Sequence, residues 1–380
     1  MNFKIKSSSL QKLGNDVMKG YIKTQKTILA LRMSNSQLEL LCYSPSTYFQ
    51  GKVDITDMKN LDNSWKILDG DNFKSFLSIL PKDDTIIDFN TTTLGDFTLK
   101  YGKNKINLNI IDIGEDNLIK EENNFTEITE VDAVSFMESM KDMSKIVSKD
   151  KNKEYSSLSF LHIFFNEDNI TLMGTQSISI AENIYKIDKT RIVDDSVLIK
   201  GIYIDLLDTT LSATDTWTLI KTKSKFGYKN NKGFIALVAI SAEDIKPIKY
   251  SHLKNLTATK EENDYNEVKI DSTSLKNAIA DVSKLSPTDP SVLFSFNEEG
   301  LFIKSSMGDR FEVLSDYSLN KELNFGINKE ALKSLYSIWT KNIIMVFKDN
   351  PIMTVIEFKL LDNKDDIIDN IFVGVSPDDQ

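Results

Sequence analysis

Lysine is the residue type whose spacing in this sequence best fits a chemical role. Lys141, Lys145 and Lys149 recur at every fourth position, so a helix would present them on one side. An ammonium group meets a phosphate as a flexible point charge and reads no base sequence, so such a stripe fits non-specific, salt-sensitive contact with duplex DNA. The alternative for each lysine is an ordinary solvated position on the surface, with no binding role. A similar set near the N-terminus consists of Lys12, Lys19 and Lys23.

Residues suited to catalysis or metal binding are few. The chain has two histidines, His162 and His252, and His162 lies in an apolar run where a structural role is expected. No Cys/His set has zinc spacing, and neither a glycine-rich phosphate loop nor a Gly-x-Ser-x-Gly turn occurs. The adjacent acids at 194–195 and 365–366 would point to opposite faces of a strand, which does not suit a shared metal. We therefore predict no enzyme, no metal site and no cofactor.

Helices are needed to position the lysines. Apolar Phe136, Met140, Met143 and Val147 predict a helix within residues 129–149, capped at Thr129. A first helix is predicted over 8–23, with Ser8 and Gln11 in capping-box positions. Four more are predicted over 70–80, 201–212, 272–286 and 328–340. The second should end at Pro81 and bury Phe73, Phe76, Leu77 and Leu80.

Short alternating runs follow each helix, and this order holds in all three thirds of the chain. The interpretation is an α+β protein of three repeated domains at 1–124, 125–253 and 254–380, each with two helices packed on antiparallel sheets. Charged stretches at 114–124 and 254–266 are predicted linkers. The alternative is an α+β protein without repeats.

Composition limits the environment and the partners. The single cysteine, Cys42, excludes an internal disulfide framework, and no apolar run approaches the roughly 20 residues of a membrane span, so a cytoplasmic protein without a membrane partner is expected. The net charge of −10 argues against nucleic-acid binding when taken alone. The six predicted helices nevertheless carry slightly more lysines than acids, although the fourth has Asp205, Asp208 and no lysine.

Across its whole length the sequence resembles the bacterial β sliding clamp, the processivity ring of replicative DNA polymerase. The similarity lies in the order of elements and in six short stretches, at 3–5, 73–81, 101–108, 170–180, 297–301 and 371–373. The resemblance implies a head-to-tail ring of two three-domain subunits, with helices around duplex DNA and sheets outside. The composition, poor in Gly and rich in Lys, Asn and Ile, suggests a divergent member encoded by a phage, acting in the host cytoplasm.

The resemblance also implies two protein-binding surfaces. The ring interface would involve Phe76, Ile106 and Leu108 on one side and Leu285 on the other, with Arg310 and Glu312 close by. A pocket for a partner peptide would be formed by Phe160, Thr175, Ile178, Ile180, Pro247 and Val373. The family's Thr-Asp-Gly-His-Arg turn reads Thr175-Gln176-Ser177-Ile178-Ser179 here, so the pocket is either reshaped or absent. Core packing is the alternative for these apolar residues.

The resulting hypothesis is a homodimeric clamp that encircles duplex DNA, is placed there by a clamp loader and tethers the replicative polymerase. DNA contact is predicted for eight lysines: Lys12, Lys19, Lys23, Lys141, Lys145, Lys149, Lys153 and Lys276. The alternative is a non-enzymatic virion or scaffold protein whose repeated domains pack through their helices. Such a scaffold would have no need for lysines opposite the apolar stripes of two helices.

Overall fold

The structure is a computed structural model, and it describes the greater part of the chain. The described residues are 2–59, 64–91, 96–111, 124–147, 157–176, 179–192, 195–209, 216–241, 265–316, 323–336, 339–340, 342–348, 355–361 and 367–377. The predicted linkers at 114–124 and 254–266 lie almost wholly outside them. So do Lys149, Lys153, Ile178, Pro247 and His252.

Two compact units make up the chain. The first consists of Met1–Met137, Lys189–Ile192 and Ile202–Ala242, and the second of Glu138–Asp188, Val193–Gly201 and Glu243–Gln380. The α-helices of the described residues are α1 (Ser7–Met18), α2 (Gly70–Ile79), α3 (Ala133–Lys145), α4 (Gly201–Leu207), α5 (Ser272–Leu285) and α6 (Lys329–Tyr336). None of them is both long and apolar enough to cross a membrane.

The strands outnumber the helices and are mostly short. The first eleven are β1 (Asn2–Lys6), β2 (Ile28–Ser34), β3 (Gln37–Tyr43), β4 (Thr47–Asp54), β5 (Thr56–Lys59), β6 (Lys66–Leu68), β7 (Ile86–Thr91), β8 (Phe97–Tyr101), β9 (Asn104–Leu108), β10 (Ile110–Ile111) and β11 (Thr126–Asp132). The next seven are β12 (Phe160–Phe165), β13 (Asn169–Gln176), β14 (Ser179–Lys186), β15 (Asp195–Lys200), β16 (Thr216–Lys221), β17 (Lys225–Asn230) and β18 (Ile235–Ala239). The last eight are β19 (Tyr265–Asp271), β20 (Ser291–Asn297), β21 (Gly300–Lys304), β22 (Arg310–Val313), β23 (Leu323–Asn328), β24 (Asn342–Lys348), β25 (Val355–Leu361) and β26 (Ile367–Pro377).

Helix α2 forms where local signals predict it. The Asp69 side chain accepts a hydrogen bond from the Asn72 backbone N–H at 2.8 Å, which caps the first turn. The helix stops before Pro81, which cannot continue it. The four predicted inward residues Phe73, Phe76, Leu77 and Leu80 are all buried. This prediction is confirmed.

Helix α1 differs from its prediction at both ends. It begins after Lys6, without a side-chain cap. The predicted capping-box residues instead contact other segments: the Ser8 hydroxyl donates to Asp84, and the Gln11 amide donates to the carbonyls of Leu77 and Leu80. The capping box is therefore wrong, because both side chains have longer-range partners. The helix ends at Met18 rather than at position 23, so Lys23 lies beyond it.

The start of α3 is also displaced. Thr129 lies in β11, and its hydroxyl donates to the Lys189 carbonyl at 2.9 Å. The cap is Asp132, whose Oδ1 accepts from the Ser135 backbone N–H at 2.9 Å. The predicted cap at Thr129 is wrong, because this segment pairs with β16 before the helix begins. The predicted apolar face of Phe136, Met140, Met143 and Val147 is buried, as expected.

The first unit contains two antiparallel sheets. One has the order β5-β1-β7-β8-β9, with Phe3 and Phe89 stacked at 4.6 Å between ring centroids. The other has the order β10-β6-β2-β3-β4-β18-β17-β16-β11, with Trp217 and Tyr228 stacked at 3.8 Å. Helix α1 packs on this second sheet, since a Cβ atom on Gly51 of β4 would lie 2.6 Å from the Leu13 side chain.

The second unit is organised around one twelve-stranded sheet. Its main path runs β15-β12-β13-β14-β26-β23-β20-β21-β22, and β19, β24 and β25 branch from β26. The long strand β26 pairs with β14 and β25 in its first part and with β23 at its end. Buried phenylalanines connect the main path with this branch, since Phe296 of β20 and Phe347 of β24 are stacked at 4.6 Å between ring centroids.

Strands from successive predicted domains pair directly. In the first unit β4 pairs with β18, from Thr47 with Val238 to Gln50 with Ile235. In the second unit β14 pairs with β26, from Ser179 with Val373 to Asn183 with Asp369. Each predicted repeat thus shares a sheet with the next, while the boundaries at 124–125 and 253–254 stay a prediction.

Candidate nucleic-acid interface

The predicted lysines of the first helix have different surroundings. Lys12 is exposed on α1, Lys19 is half-buried at its C-terminal cap, and Lys23 follows the helix. The Lys23 ammonium lies 2.8 Å from a carboxylate oxygen of Asp71, at the start of α2. The hydrogen bond and the charge of Asp71 raise the pKa of Lys23. One of the predicted phosphate ligands therefore already has a carboxylate partner.

Helix α3 holds Lys141 and Lys145 on its accessible side. Lys145 is the last residue of the helix, and its ammonium lies 2.6 Å from a carboxylate oxygen of Asp142, three residues earlier. Glycine at position 174 allows the close contact between this helix and β13, because a Cβ atom there would lie 2.2 Å from the Met143 carbonyl oxygen. The lysine side of α3 thus points away from a tightly packed sheet.

Helices α5 and α6, like α3, each carry a lysine with an acid three residues before it. Lys276 of α5 is half-buried, with its ammonium 6.0 Å from the centroid of the Trp339 ring. Two further lysines, Lys284 of α5 and Lys333 of α6, are exposed and were not among the predicted DNA contacts. Each has an acid three residues before it, and this spacing was the available sequence signal.

Helix α4 is shorter than the predicted helix over 201–212, since it ends at Leu207 and Asp208 lies beyond it. Asp205 is exposed, and the helix contains no lysine. The apolar side chain of Ile202 in this helix is 71 % exposed. The accessible helix faces are thus unequal, and α4 offers phosphate the least.

Three of the predicted peptide-pocket residues share one face of the sheet in the second unit. Phe160 and Thr175 are buried, while Ile180 is partly exposed and packs against Phe164 and Met173. Thr175 and Ile180 are direct partners across β13 and β14. The Thr175 hydroxyl is buried without a hydrogen-bond partner among the described residues.

Val373 does not join this set. It pairs with Ser179, one position from Ile180, so the alternation of a strand turns its side chain to the opposite face. It is completely buried there. The register therefore divides the described pocket candidates between two faces, and the two remaining ones, Ile178 and Pro247, lie outside the described residues.

The predicted ring-interface residues are divided as well. Phe76 and Leu108 are buried, and Phe76 lies against Phe73 and Phe89 at ring distances of 5.9 and 6.5 Å, as a core residue does. Ile106 is partly exposed on β9, and Leu285 is 48 % exposed at the end of α5.

Within the described part of the chain, β9, which carries Ile106 and Leu108, and β22, which begins at Arg310, are both edge strands. Strand β9 ends the five-stranded sheet, and β22 ends the sheet of the second unit. Beside β22 lies an open groove of about 400 Å³, lined by Asp271, Asn277, Asp281, Phe311, Glu312 and Leu314. The Arg310 guanidinium lies 3.0 Å from Glu299 and stacks over the Phe302 ring. An unpaired edge beside a groove is suited to pairing with another strand.

The histidine of the described residues is structural in its position. His162 is completely buried in β12, between Leu198 of β15 and Met173 of β13. No group of three or more His, Cys, Asp or Glu side chains in the described ranges is placed to hold a metal ion. Asp195, one of the four adjacent acids, begins β15 and accepts a hydrogen bond from the Ser196 backbone N–H, and the other three acids lie outside these ranges.

Comparisons with known proteins give the fold. No protein-family model matches the sequence, and no curated protein does. Solved structures match over the full length. DNA polymerase III subunit beta of Pseudomonas aeruginosa is 16 % identical with a TM-score of 0.79, covering 99 % of this chain and 100 % of that one. The DNA polymerase sliding clamp of Bacillus subtilis is 14 % identical with a TM-score of 0.75, covering 99 % of both chains.

A third such structure comes from Thermotoga maritima. Its DNA polymerase III beta subunit is 15 % identical, with a TM-score of 0.73 over 99 % of both chains. The chain therefore has the fold of the bacterial sliding clamps, in a sequence that has diverged far from these structures.

Proposed function

We propose that this protein is a sliding clamp that encircles duplex DNA and tethers a replicative DNA polymerase. The observation that carries the proposal is the similarity of the entire chain, rather than of one domain, to structures described as DNA polymerase III beta subunits and sliding clamps. A clamp performs no covalent step, so the proposal requires no catalytic residue. It places the protein in the cytoplasm, with the DNA.

Ring closure would join the two edge strands of two subunits. A head-to-tail contact between β9 of one copy and β22 of the next extends one sheet into another and closes if the rotation is right. Leu285 and Ile106 are partly exposed near these edges, so they are the apolar residues that such a contact would cover. Phe76 and Leu108 would support it from within the core.

Polymerase and clamp loader are the proposed protein partners. The surface proposed for their peptides is the face that carries Phe160, Thr175 and Ile180, because Ile180 is partly exposed beside two buried neighbours there. The boundaries at 124–125 and 253–254 remain the proposed limits of three repeated domains.

Retention on DNA circles tests the proposal. The protein is loaded onto nicked circular DNA with its cognate loader, free protein is removed, and half of the sample is linearised with a restriction enzyme. Loss upon linearisation is expected, because a ring slides off an end whereas a directly bound protein does not. Equal retention on circles and linear DNA would contradict encirclement. Failure of an active loader to place the protein on either DNA would favour the scaffold alternative.

A further inference from the structure

We infer that two helices that face DNA in the proposed clamp, α3 and α6, present last-turn lysines already paired with carboxylates of the same helix, so that these lysines add little net electrostatic attraction for DNA. The inference rests on the proposed function, since only a clamp turns these helices toward DNA. It concerns the strength of the contact and leaves the ring itself untouched.

The same ion pair occurs in three helices of the chain. In each, an acid precedes the lysine by three residues, a spacing that places the two side chains on one helix face. The pairs are Asp142 with Lys145 at 2.6 Å, Asp281 with Lys284 at 2.9 Å, and Glu330 with Lys333 at 2.8 Å. Exposed pairs of this kind contribute little to stability, so the stability of the helices does not explain their repetition.

A second feature weakens these lysines further. Lys145, Lys284 and Lys333 all lie in the last turn of their helices. The C-terminal end of a helix carries the negative pole of its dipole, which attracts an ammonium and repels a phosphate. A phosphate that approaches one of these lysines therefore meets a carboxylate and the negative end of a helix as well.

The geometry determines what the DNA experiences. The Debye length is about 8 Å at physiological ionic strength. The charges of each pair are separated by less than that, at 2.6 to 2.9 Å. To a phosphate one Debye length or more away, the pair thus acts as a dipole with no net charge. Direct attraction falls to lysines such as Lys12 and Lys74, which have no carboxylate partner within the described residues.

Removal of two counterions tests the inference. The double variant Asp142→Asn/Glu330→Gln keeps the size of both side chains and releases Lys145 and Lys333. Binding of the full chain, without loader, to a linear 30-base-pair duplex is measured by fluorescence anisotropy over a range of salt concentrations. We expect at least fivefold tighter binding at low salt, and a slope of log K against log salt that is steeper by about 1 to 2, since each added phosphate contact contributes about 0.9.

A matched control changes the net charge equally on strands. Asp57→Asn/Glu267→Gln releases Lys4 of β1 and Lys359 of β25 from their own pairs, at 2.6 and 2.5 Å. We expect less than a twofold change in binding for this variant. Equal tightening by both variants would overturn the inference, because net charge alone would then explain the result.

An unchanged affinity of the helix variant, with an unchanged melting temperature, would also overturn it. The proposed function is judged separately by loss of the loaded wild-type protein from linearised circles. A wild-type protein that passes this retention test while the helix variant binds no tighter would contradict the inference alone.

Discussion

Gly174 of β13 and Met143 of α3 are in closer contact than any residue with a side chain would permit. A Cβ atom at position 174 would lie 2.2 Å from the backbone oxygen of Met143 and 3.0 Å from the Ile146 side chain. The neighbour at 2.2 Å is backbone, so it cannot move aside by rotating about a side-chain bond. This contact fixes the distance between the lysine-bearing helix and its sheet.

Gly174→Ala is therefore expected to destabilise the protein, by about 1 to 3 kcal/mol as for an overpacked core. Gly201→Ala is the control, because a Cβ atom at position 201 has its nearest neighbour at 3.9 Å. Urea unfolding followed by circular dichroism would measure both free energies of unfolding. Equal stabilities of the two variants would contradict the close packing of α3 on β13.

Asp132, rather than Thr129, is expected to cap α3. Asp132→Ala should lower the free energy of unfolding by about 1 kcal/mol, the usual value for a lost cap. Hydrogen bonds from the Ser135 backbone N–H and hydroxyl lower the pKa of Asp132. Its stabilising effect is therefore fully present above the unfolded pKa of about 3.9 and is lost as the pH falls through the lower folded value.

Asp132→Asn provides the comparison for that pH dependence. Asparagine also caps helices well, so this variant should retain stability near neutral pH. Its free energy of unfolding should fall less than that of the wild type as the pH is lowered, because the asparagine side chain does not titrate. Parallel loss of stability by wild type and Asp132→Asn below pH 4 would speak against Asp132 as the source.

Tyr228 is expected to stabilise the first unit through its hydroxyl as well as its ring. That hydroxyl donates to the Leu207 carbonyl at 3.1 Å and lies 2.7 Å from the Thr209 hydroxyl, which is buried. Tyr228→Phe should cost about 1 to 3 kcal/mol, because two buried groups lose a partner. In a double-mutant cycle with Thr209→Val, the double variant should cost less than the sum of the single ones. Strict additivity would show that the two hydroxyls do not interact.

Leu285→Asp is expected to weaken self-association without unfolding the subunit. Leu285 is 48 % exposed at the end of α5, so a carboxylate there remains solvated in the free chain. In the proposed ring the same carboxylate would be covered, and at least tenfold weaker dimerisation is expected, or about 1.4 kcal/mol.

Light scattering coupled to size-exclusion chromatography would measure the mass at several concentrations. Ile202→Asp is the control, since Ile202 is 71 % exposed on α4, an element that the proposed contact of β9 with β22 does not use. If Leu285→Asp dimerises as tightly as the wild type, Leu285 is not part of the interface. A wild-type protein that stays monomeric at high concentration would contradict the proposed ring.

The thiol of Cys42 should be unreactive in the folded protein. It lies in β3 and is completely buried, and burial raises the pKa of its thiol well above the usual range. A thiol reagent such as DTNB should label no cysteine in native buffer and one per chain in denaturant. Labelling in native buffer at the rate of an exposed thiol would contradict the packing of β3.

Much of the fold could be predicted because several elements carry their own signals. Strands β3, β16 and β21 form in the short runs that are predicted to follow the helices. Residues typical of turns lie beside these strands, and they mark the strand ends in the sequence. Helix α2 is similarly determined by the Asp69 cap and Pro81.

The errors have a common physical origin in partners distant along the chain. Thr129 has the composition of a helix cap, but its segment is drawn into β11 by pairing with β16, and a carbonyl sixty residues away takes its hydrogen bond. Ser8 and Gln11 likewise bond to Asp84, Leu77 and Leu80 instead of to their own helix. Spacing alone does not reveal such partners.

The candidate sites were predictable to a smaller degree for a related reason. The positions of Lys141 and Lys145 on one side of α3 could be predicted from periodicity, but whether a lysine holds a carboxylate depends on rotamers, as for Lys23 and Asp71. The division of Ile180 and Val373 between two faces depends on the register of β14 with β26, which a one-residue shift would reverse.

The pairing of β4 with β18 has a consequence for proteolysis and for fragment biology. Residues 47–50 bond to residues 235–238, so the segment before the first predicted linker is fastened to one nearly two hundred residues later. A protease cut between residues 112 and 123 would nick the backbone without releasing either piece. Two polypeptides produced separately from either side of that cut would be complementary fragments. Each would present an unpaired strand edge, and the sheet would be completed when the two fragments associate.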